Sequence, residues 1–139
     1  MGEPLSDPRP VPEPTAVSGP FWEGLRAHRI LVQYSRSLGR YVFYPRTLAP
    51  GTLADDLEWR EIDGAGTLYT FTVARRPTGP PWAGAVPQLL AVVRWDAGPK
   101  ISTELVGVDP GDIRIGMRVG PVFCDLAEAA VTLLRYRPV

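Results

Sequence analysis

A series of short β-type segments, beginning at Ile30 and continuing almost to the end of the chain, constrains the fold most strongly. The segments are rich in Val, Leu, Thr and aromatic residues, and turn-forming sequences such as Asp63-Gly64 and 109–112 separate several of them. The predicted strands are 30–34, 41–44, 57–62, 67–75, 88–95, 100–106, 118–124 and 131–136. This pattern predicts a mostly β fold.

The strands from Leu57 onward predict a small barrel. Within 67–75, Tyr69, Phe71 and Val73 fall on one face and their neighbours on the other, which is typical of a strand with one side inside a barrel. Five or six strands of this spacing are enough for a closed or nearly closed barrel. We therefore predict a five- to six-stranded barrel over 57–139, with a small β-sandwich as the alternative architecture.

The beginning of the chain has a different character. Residues 1–19 hold five prolines among acids and small residues, a composition that favours extended conformations and offers little to bury, so we predict a flexible tail. A short helix is predicted over 20–29, because Pro20 suits a first helical position and the apolar residues that follow fall on one helical face. Phe21 and Trp22 on that face either dock onto a partner or pack on their own domain.

Length and composition limit the class of protein and the cell compartment to which the chain can belong. A chain of 139 residues with 45% hydrophobic residues and a formal net charge of zero fits one compact domain with appendages. A single cysteine, Cys124, excludes an intramolecular disulfide and a multi-cysteine metal site, and fits a reducing compartment. The sequence shows no secretory signal and no run of about 18 apolar residues. We expect a cytoplasmic protein that does not enter a membrane.

The sequence does not supply a catalytic set. Strand alternation predicts that Cys124 is buried, and a thiol in apolar surroundings reacts poorly. His28 is the one histidine; it adjoins Arg29, whose like charge discourages protonation, and the sequence indicates no carboxylate to orient it. The serines lie outside any Gly-x-Ser-x-Gly frame, and no phosphate-binding glycine loop precedes a helix. We therefore predict that the chain is not an enzyme by itself.

Two segments suggest binding surfaces. Residues 24–54 hold five arginines and no acid, whereas 55–63 hold five acids, so the first segment is either a basic surface or a solvated face whose arginines pair with the second. The loop 76–87 holds four prolines around Trp82. That loop is either an exposed contact element or a strand connection whose tryptophan folds back onto the mouth of the barrel.

Several segments, in order, resemble one known family. They are Phe21-Trp22-Glu23-Gly24-Leu25, 33–46, Leu57-Glu58-Trp59, 64–73, Leu105-Val106-Gly107-Val108-Asp109-Pro110, 113–119 and Arg137-Pro138. Together they resemble the domain of unknown function 35 (DUF35) family over roughly residues 20 to 138. Its members combine an N-terminal helix and a rubredoxin-like zinc ribbon with an OB-fold barrel, and they accompany thiolases and thiolase-like lipid-transfer enzymes. The resemblance implies a ribbon over 30–56 and an OB-fold barrel over 57–139.

The chain departs from this family at the zinc ligands. Aligned on the surrounding residues, the four cysteines of the family fall on Ser35, Leu38, Ala49 and Thr52. Structural zinc needs thiolate or imidazole ligands, which none of these side chains supplies. We predict a degenerate ribbon without zinc that is held by packing. The side chains expected to fill the metal's space are Leu38, Leu48 and Leu53.

The resemblance also implies a role. It implies a non-catalytic accessory subunit of a heteromeric complex, bound to a thiolase-, acyltransferase- or aldolase-type enzyme and sharing acyl-CoA with it as a ligand. Arginine and lysine side chains can bind the phosphates of CoA, and aromatic side chains can stack on its adenine. The CoA- or partner-binding candidates are Arg40, Arg46, Arg75, Arg76, Trp82 and Lys100. Of these, Arg75 and Arg76 beside the Trp82 loop are expected to form a rim facing CoA or the partner.

Two other functions fit the sequence. OB barrels commonly bind single-stranded nucleic acid through a basic groove with interleaved aromatics, but the zero net charge makes a nucleic-acid partner the less favoured reading. A purely architectural subunit that stabilises its partner and never contacts the ligand fits the sequence equally well.

Overall fold

A computed structural model describes residues 8–126 and 129–139, so the first seven residues of the predicted tail lie outside the described residues. One helix and eight strands follow in order. They are α1 (Gly19–Arg26), β1 (Ile30–Ser35), β2 (Arg40–Val42), β3 (Leu57–Ile62), β4 (Gly66–Ala74), β5 (Gln88–Trp95), β6 (Lys100–Glu104), β7 (Arg118–Leu126) and β8 (Val131–Pro138), with short 3-10 turns at Pro80–Trp82 and Pro110–Asp112. No helix in these ranges is long and apolar enough to cross a membrane.

The ribbon region forms a three-stranded antiparallel sheet in the order β2-β1-β3. The sequence analysis assigned 57–62 to the barrel, but this strand pairs with β1 along its whole length, from Ile30 opposite Ile62 to Ser35 opposite Leu57. The reason is the turn that follows: Gly64 adopts a φ of 78°, a left-handed conformation that favours glycine. The barrel sheet begins only after this turn, at Gly66.

The other five strands form the barrel. Their order is β6-β5-β4-β7-β8, and every pairing is antiparallel. Closure takes place where Leu105, just after β6, pairs in parallel with Tyr136 of β8, and the Val106 amide donates to the Tyr136 carbonyl at 2.8 Å. The expected mostly β, five-stranded OB-fold barrel is confirmed.

One hydrophobic core serves the helix, the ribbon sheet and the barrel. Phe21 and Leu25 of α1 are buried together with Ile30 and Val32 of β1. The barrel side chains in the same cluster are Leu68, Leu89, Ala91, Val93, Trp95, Ile101, Leu105, Ile113, Val119, Leu134 and Tyr136. Because the helix and the ribbon contribute to the core of the barrel, these parts are packed as one unit.

A buried tyrosine ties the ribbon to the barrel. The hydroxyl of Tyr136 donates a hydrogen bond to the Gly64 carbonyl at 2.8 Å and accepts one from the Trp95 indole nitrogen at 2.5 Å. Burial raises the pKa of the Tyr136 hydroxyl well above its usual range. A Cβ on Gly64 would lie 2.2 Å from Cδ1 of Ile30. The turn between the two sheets therefore needs glycine for space as well as for its φ.

The described part of the N-terminal segment contacts the barrel. Arg9 Nη1 donates to Glu104 Oε2 of β6 at 3.0 Å, and both side chains are largely buried. Nearer the helix, the Thr15 amide donates to the Ser18 hydroxyl, and the Ser18 amide donates to the Thr15 hydroxyl. The segment 8–18 is thus attached to β6 through Arg9 and leads directly into α1, which differs from the tail expected from composition.

We predict that Tyr136→Phe lowers the free energy of unfolding by about 1–3 kcal/mol, because it leaves the Trp95 N–H and the Gly64 carbonyl without their buried partner. Urea denaturation followed by tryptophan fluorescence measures the change. Tyr69→Phe is the matched control: Tyr69 is 45% exposed, and the loss of its hydroxyl is expected to change stability by less than about 0.5 kcal/mol. Equal losses in the two variants would contradict the proposed link between ribbon and barrel.

Candidate functional site

An apolar groove of about 660 Å³ lies between α1, the N-terminal segment and the barrel. This volume is within the range of pockets that hold small-molecule ligands. The residues that line the apolar groove are Arg9, Pro10, Pro12, Thr15, Val17, Ser18, Phe21, Trp22, Leu25, Phe43, Tyr44, Pro45, Trp82, Ile101, Ser102, Glu104, Leu126, Leu133, Leu134 and Arg135. Most of them are apolar or aromatic.

The aromatic wall of the apolar groove is anchored in the core. Phe43 packs edge-on against Trp95 at 5.0 Å between ring centroids and tilts against Phe21 at 5.5 Å. Phe21 in turn meets Trp22 edge-on at 5.2 Å. Phe21 is only 6% exposed, so of the two predicted docking aromatics Trp22 is the one with the more exposed side chain. The edge-on contact with Phe21 positions the Trp22 ring.

The loop tryptophan also belongs to the apolar groove. Trp82 ends the 3-10 turn Pro80–Trp82 and is half-buried. Of the two interpretations of the loop, the structure matches the one in which the tryptophan folds back onto the barrel. Trp22 and Trp82, far apart in sequence, line the same groove.

One end of the apolar groove is charged. Glu104 accepts hydrogen bonds from Arg9 at 3.0 Å and from the Gln88 side chain at 3.3 Å, and Arg135 Nε lies 4.0 Å from the same carboxylate oxygen. Arg135 is 8% exposed and Glu104 is partly buried. Because buried charges are costly unless paired, this cluster fixes the N-terminal segment on β6. This charged cluster was not predicted from the sequence.

A second, basic groove of about 520 Å³ lies next to the apolar one. Its lining residues are Arg40, Tyr41, Val42, Phe43, Arg46, Pro50, Ala97, Gly98, Pro99 and Lys100. Three of the six predicted CoA- or partner-binding residues, Arg40, Arg46 and Lys100, therefore meet in one place. No acidic residue is among these lining residues.

Two contacts hold the cations of the basic groove in position. The buried Gln33 side chain accepts a hydrogen bond from the Arg46 amide and donates one to the Arg46 carbonyl, each at 2.7 Å. Lys100 Nζ lies 3.9 Å from the centroid of the Tyr69 ring, a cation–π contact. Gln33 was missed by the sequence analysis, although a lone amide within the apolar run 30–34 is a signal for a buried hydrogen-bonding role.

The predicted rim residues lie elsewhere. Arg75 and Arg76 are exposed and follow β4, where Ala74 pairs with Gln88 at the start of β5. Lys100 pairs with Arg94 near the other end of β5. Residues 88 to 94 of an extended strand span about 20 Å, so the arginine pair and the basic groove are at opposite ends of this hairpin.

The four ribbon positions are held by hydrogen bonds. The Ser35 hydroxyl donates to Asp56 Oδ1 at 2.9 Å, and the Ser37 amide donates to Asp56 Oδ2 at 2.7 Å. Ser35 also accepts a hydrogen bond from the Leu38 amide at 3.2 Å. Hydrogen bonds from Ser37 and then from Ser35 hold the pKa of the Asp56 carboxyl below its ordinary value.

The second ribbon loop is closed by its own backbone. The Ala49 amide donates to the Ala54 carbonyl and the Leu53 amide donates to the Ala49 carbonyl, at 3.0 and 2.9 Å. Ala49 is fully buried, whereas Thr52 is exposed and its hydroxyl accepts a hydrogen bond from the Ala54 amide. Within the described ranges no group of three or more His, Cys, Asp or Glu side chains is placed to hold a metal ion.

The expected packing of the ribbon by leucines is wrong. Leu53 is 69% exposed and Leu48 is 37% exposed, and Leu38 is only partly buried. Leu53 has a φ of 58°, in the left-handed region, and its side chain is turned to solvent. Asp56, which lies just after the second loop and bonds the first, carries out the crosslinking instead. No sequence pattern distinguished it from the other acids of 55–63.

Two expectations for the chemistry-bearing residues are also corrected. His28 does have a carboxylate partner: its Nε2 lies 3.0 Å from Asp125 Oδ2, and its ring stacks on Phe123 at 4.9 Å. The Thr132 hydroxyl and then His28 lower the pKa of the Asp125 carboxyl. Cys124 is partly exposed and not buried, because this stretch of β7 is partly exposed on both faces.

The five-stranded barrel, closed by the pairing of Leu105 with Tyr136, defines an OB-fold domain to which the ribbon sheet is attached. A family model described as ChsH2, C-terminal OB-fold domain, matches residues 59–124. The solved structure of an Ltp2-ChsH2(DUF35) aldolase contains a chain that is 27% identical, with a TM-score of 0.80; the similarity covers 92% of this chain and 98% of that one. These similarities support a DUF35 OB-fold domain in this chain, whose four ribbon positions carry no cysteine.

Two other relatives differ in length from the chain. It is 32% identical over 121 residues to a probable enoyl-CoA hydratase alpha subunit from Thermomonospora curvata, a match that covers 85% of this chain and 36% of that protein. It is 27% identical over 108 residues to a DUF35 domain-containing scaffold protein from Pyrococcus furiosus, covering 78% of this chain and 79% of that protein. The chain thus spans about a third of the hydratase subunit and most of the scaffold protein.

We predict that Asp56→Asn lowers the melting temperature at pH 7, because the neutral amide is a weaker acceptor for Ser35 and Ser37. The pKa of Asp56 is lower in the folded chain than in the unfolded one, so its stabilisation is present above pH about 4 and is lost as the pH falls through the folded pKa. The difference in melting temperature between wild type and variant should therefore shrink towards pH 3.

Asp55→Asn is the matched control for this experiment. It removes the same charge from the exposed neighbouring residue and is expected to leave the melting temperature nearly unchanged at pH 7. Thermal unfolding followed by circular dichroism from pH 3 to pH 8 gives both profiles. If the two variants behave alike at every pH, Asp56 does not crosslink the ribbon loops.

Proposed function

We propose that this chain is a cytoplasmic, non-catalytic accessory subunit that binds a thiolase-like enzyme and helps to bind or position its acyl-CoA substrate. The observation that carries the proposal is the similarity to nearly the whole of one chain in an Ltp2-ChsH2(DUF35) aldolase structure. A match that covers 92% of this chain and 98% of that one supports a comparable role for this chain within an assembly.

The geometry of the described residues supports a binding role. His28 is engaged by Asp125 and stacked on Phe123, so it does not lie beside a free nucleophile. Cys124 and Asp125 are consecutive on β7 and therefore point to opposite faces of the strand. A nucleophile and base within hydrogen-bonding reach, which covalent catalysis requires, are not assembled from these residues.

The partner and the ligand come from the relatives. Their names describe a subunit of an enoyl-CoA hydratase, a scaffold protein and an aldolase complex, which supports a heteromeric assembly that processes CoA thioesters. The resemblance of the sequence to the DUF35 family implies a thiolase-like or lipid-transfer-type partner. No zinc site is proposed, because Asp56 and backbone hydrogen bonds crosslink the loops at the four ribbon positions.

We predict that the chain, used as bait in its own cells, co-purifies with a thiolase-like enzyme as a stable heteromer of fixed stoichiometry. Size-exclusion chromatography with light scattering measures the assembly, and an assay of acyl-CoA consumption compares the chain, the partner and the complex. The chain alone should show no turnover, and the complex should exceed the partner alone.

Four results would oppose the proposal or narrow it. Turnover by the purified chain alone, or failure to associate with the partner, contradicts it. A salt-sensitive gel shift with single-stranded DNA or RNA would support the nucleic-acid alternative. Full activity of a soluble partner without the chain would leave a purely architectural role and remove the chain from ligand handling.

A further inference from the structure

The apolar and basic grooves share their walls. On one side, Phe43 lines both grooves, and the following residues divide between them: Tyr44 and Pro45 line the apolar groove, and Arg46 lines the basic one. On the other side, strand β6 does the same. Lys100 lines the basic groove, and the two residues after it line the apolar groove. The two depressions are therefore adjacent along two separate segments of chain.

A surface contact joins the two segments along which the grooves are adjacent. The Ser102 amide donates to the Tyr44 hydroxyl at 3.4 Å, across the gap between β6 and the segment after β2. Tyr44 is 54% exposed and Ser102 is exposed, so the contact lies at the surface. Lys100 and Ser102 are two residues apart on one strand, on the same face and about 7 Å from each other. A ligand that crosses this contact reaches from the cations to the apolar groove within a short distance.

The two grooves have complementary chemistry. The basic groove presents Arg40, Arg46 and Lys100 without an acidic residue among its lining residues, which suits phosphate groups. The apolar groove presents aromatic and aliphatic side chains, and its one acid, Glu104, is balanced by Arg9 and Arg135. A molecule that fits both must carry anionic groups at one end and an apolar group at the other.

We infer that the two grooves form one continuous site for an acyl-CoA, in which the phosphates bind Arg40, Arg46 and Lys100 and the acyl group enters the apolar groove between Trp22 and Trp82. The neutral arm of the ligand crosses the Tyr44–Ser102 contact. This inference rests on the proposed function and deepens it. The CoA phosphates are then bound in the basic groove and not by Arg75 and Arg76. This chain, and not only the partner, is also sensitive to the acyl group.

Binding of CoA, butyryl-CoA and octanoyl-CoA to the purified full chain tests the inference, with isothermal titration calorimetry and tryptophan fluorescence as readouts. The fluorescence should change on binding of octanoyl-CoA, because Trp22 and Trp82 line the apolar groove. Each buried methylene contributes enough to raise affinity by up to roughly fourfold. We expect octanoyl-CoA to bind at least about tenfold more tightly than butyryl-CoA.

Two groups of variants separate the halves of the site. Arg46→Ala/Lys100→Ala should weaken CoA and octanoyl-CoA to a similar extent, by roughly tenfold or more, because both ligands carry the same phosphates. Trp82→Ala should weaken octanoyl-CoA and leave CoA nearly unchanged, since it removes part of the apolar wall. Ser102→Trp should weaken both ligands, since it narrows the crossing that the neutral arm of each ligand uses. These two variants act at different places, so a folding defect in one leaves the other as a test.

Arg36→Ala/Arg137→Ala is the charge-matched control, because it removes two exposed arginines that line neither groove. It should bind every ligand like the wild type. The inference is overturned if affinity is independent of acyl length, or if Arg75→Ala/Arg76→Ala weakens CoA while Arg46→Ala/Lys100→Ala does not. Failure of the chain to bind any CoA while it still assembles with its partner refutes the site and leaves the accessory role standing.

Discussion

The hydroxyl of Tyr136 is the interaction on which the architecture depends. It lies where β8 of the barrel, β5 and the turn between the two sheets meet, and its two hydrogen bonds link Trp95 to Gly64. The backbone of the same residue closes the barrel against Leu105 and Val106. Ring, hydroxyl and backbone of one residue thus fix the position of the ribbon relative to the barrel. Both grooves are lined by residues of β6 and of the chain at the end of β2 and just after it, so the shape of the grooves depends on the same residue.

In the ribbon, hydrogen bonds connect the two loops that carry the four positions at which the family resemblance places cysteines. A structural metal contributes by linking two loops that have little core of their own. Here Asp56, carried by the chain after the second loop, bonds the first loop through Ser35 and Ser37. Ala49 is fully buried, and backbone hydrogen bonds close its loop. A carboxylate and a small buried side chain therefore connect the loops.

The sequence predicted the strands and the barrel well, because alternating side chains and turn residues are local signals. It misassigned the sheet of β3, since pairing with β1 depends on the direction the chain takes after Gly64. It also gave the right kinds of side chain for binding, but it could not show which of them meet. Arg40 and Arg46 meet Lys100, which is distant in sequence, whereas Arg75 and Arg76 lie at the opposite end of the β4–β5 hairpin, as the register of β5 with its neighbours shows. Asp125 as the partner of His28 was missed because the two residues are 97 positions apart.

The pair of hydrogen bonds between Gln33 and the Arg46 peptide has a consequence for substitution at that position. The Gln33 side chain donates to the Arg46 carbonyl and accepts from the Arg46 N–H. It thereby makes the same two hydrogen bonds to this peptide that a residue of an adjacent β-strand would make. Glutamate would place a second acceptor against the carbonyl, and leucine would leave both peptide groups unpaired. The position of Arg46 in the basic groove therefore depends on the identity of a buried residue, Gln33, that does not line the groove.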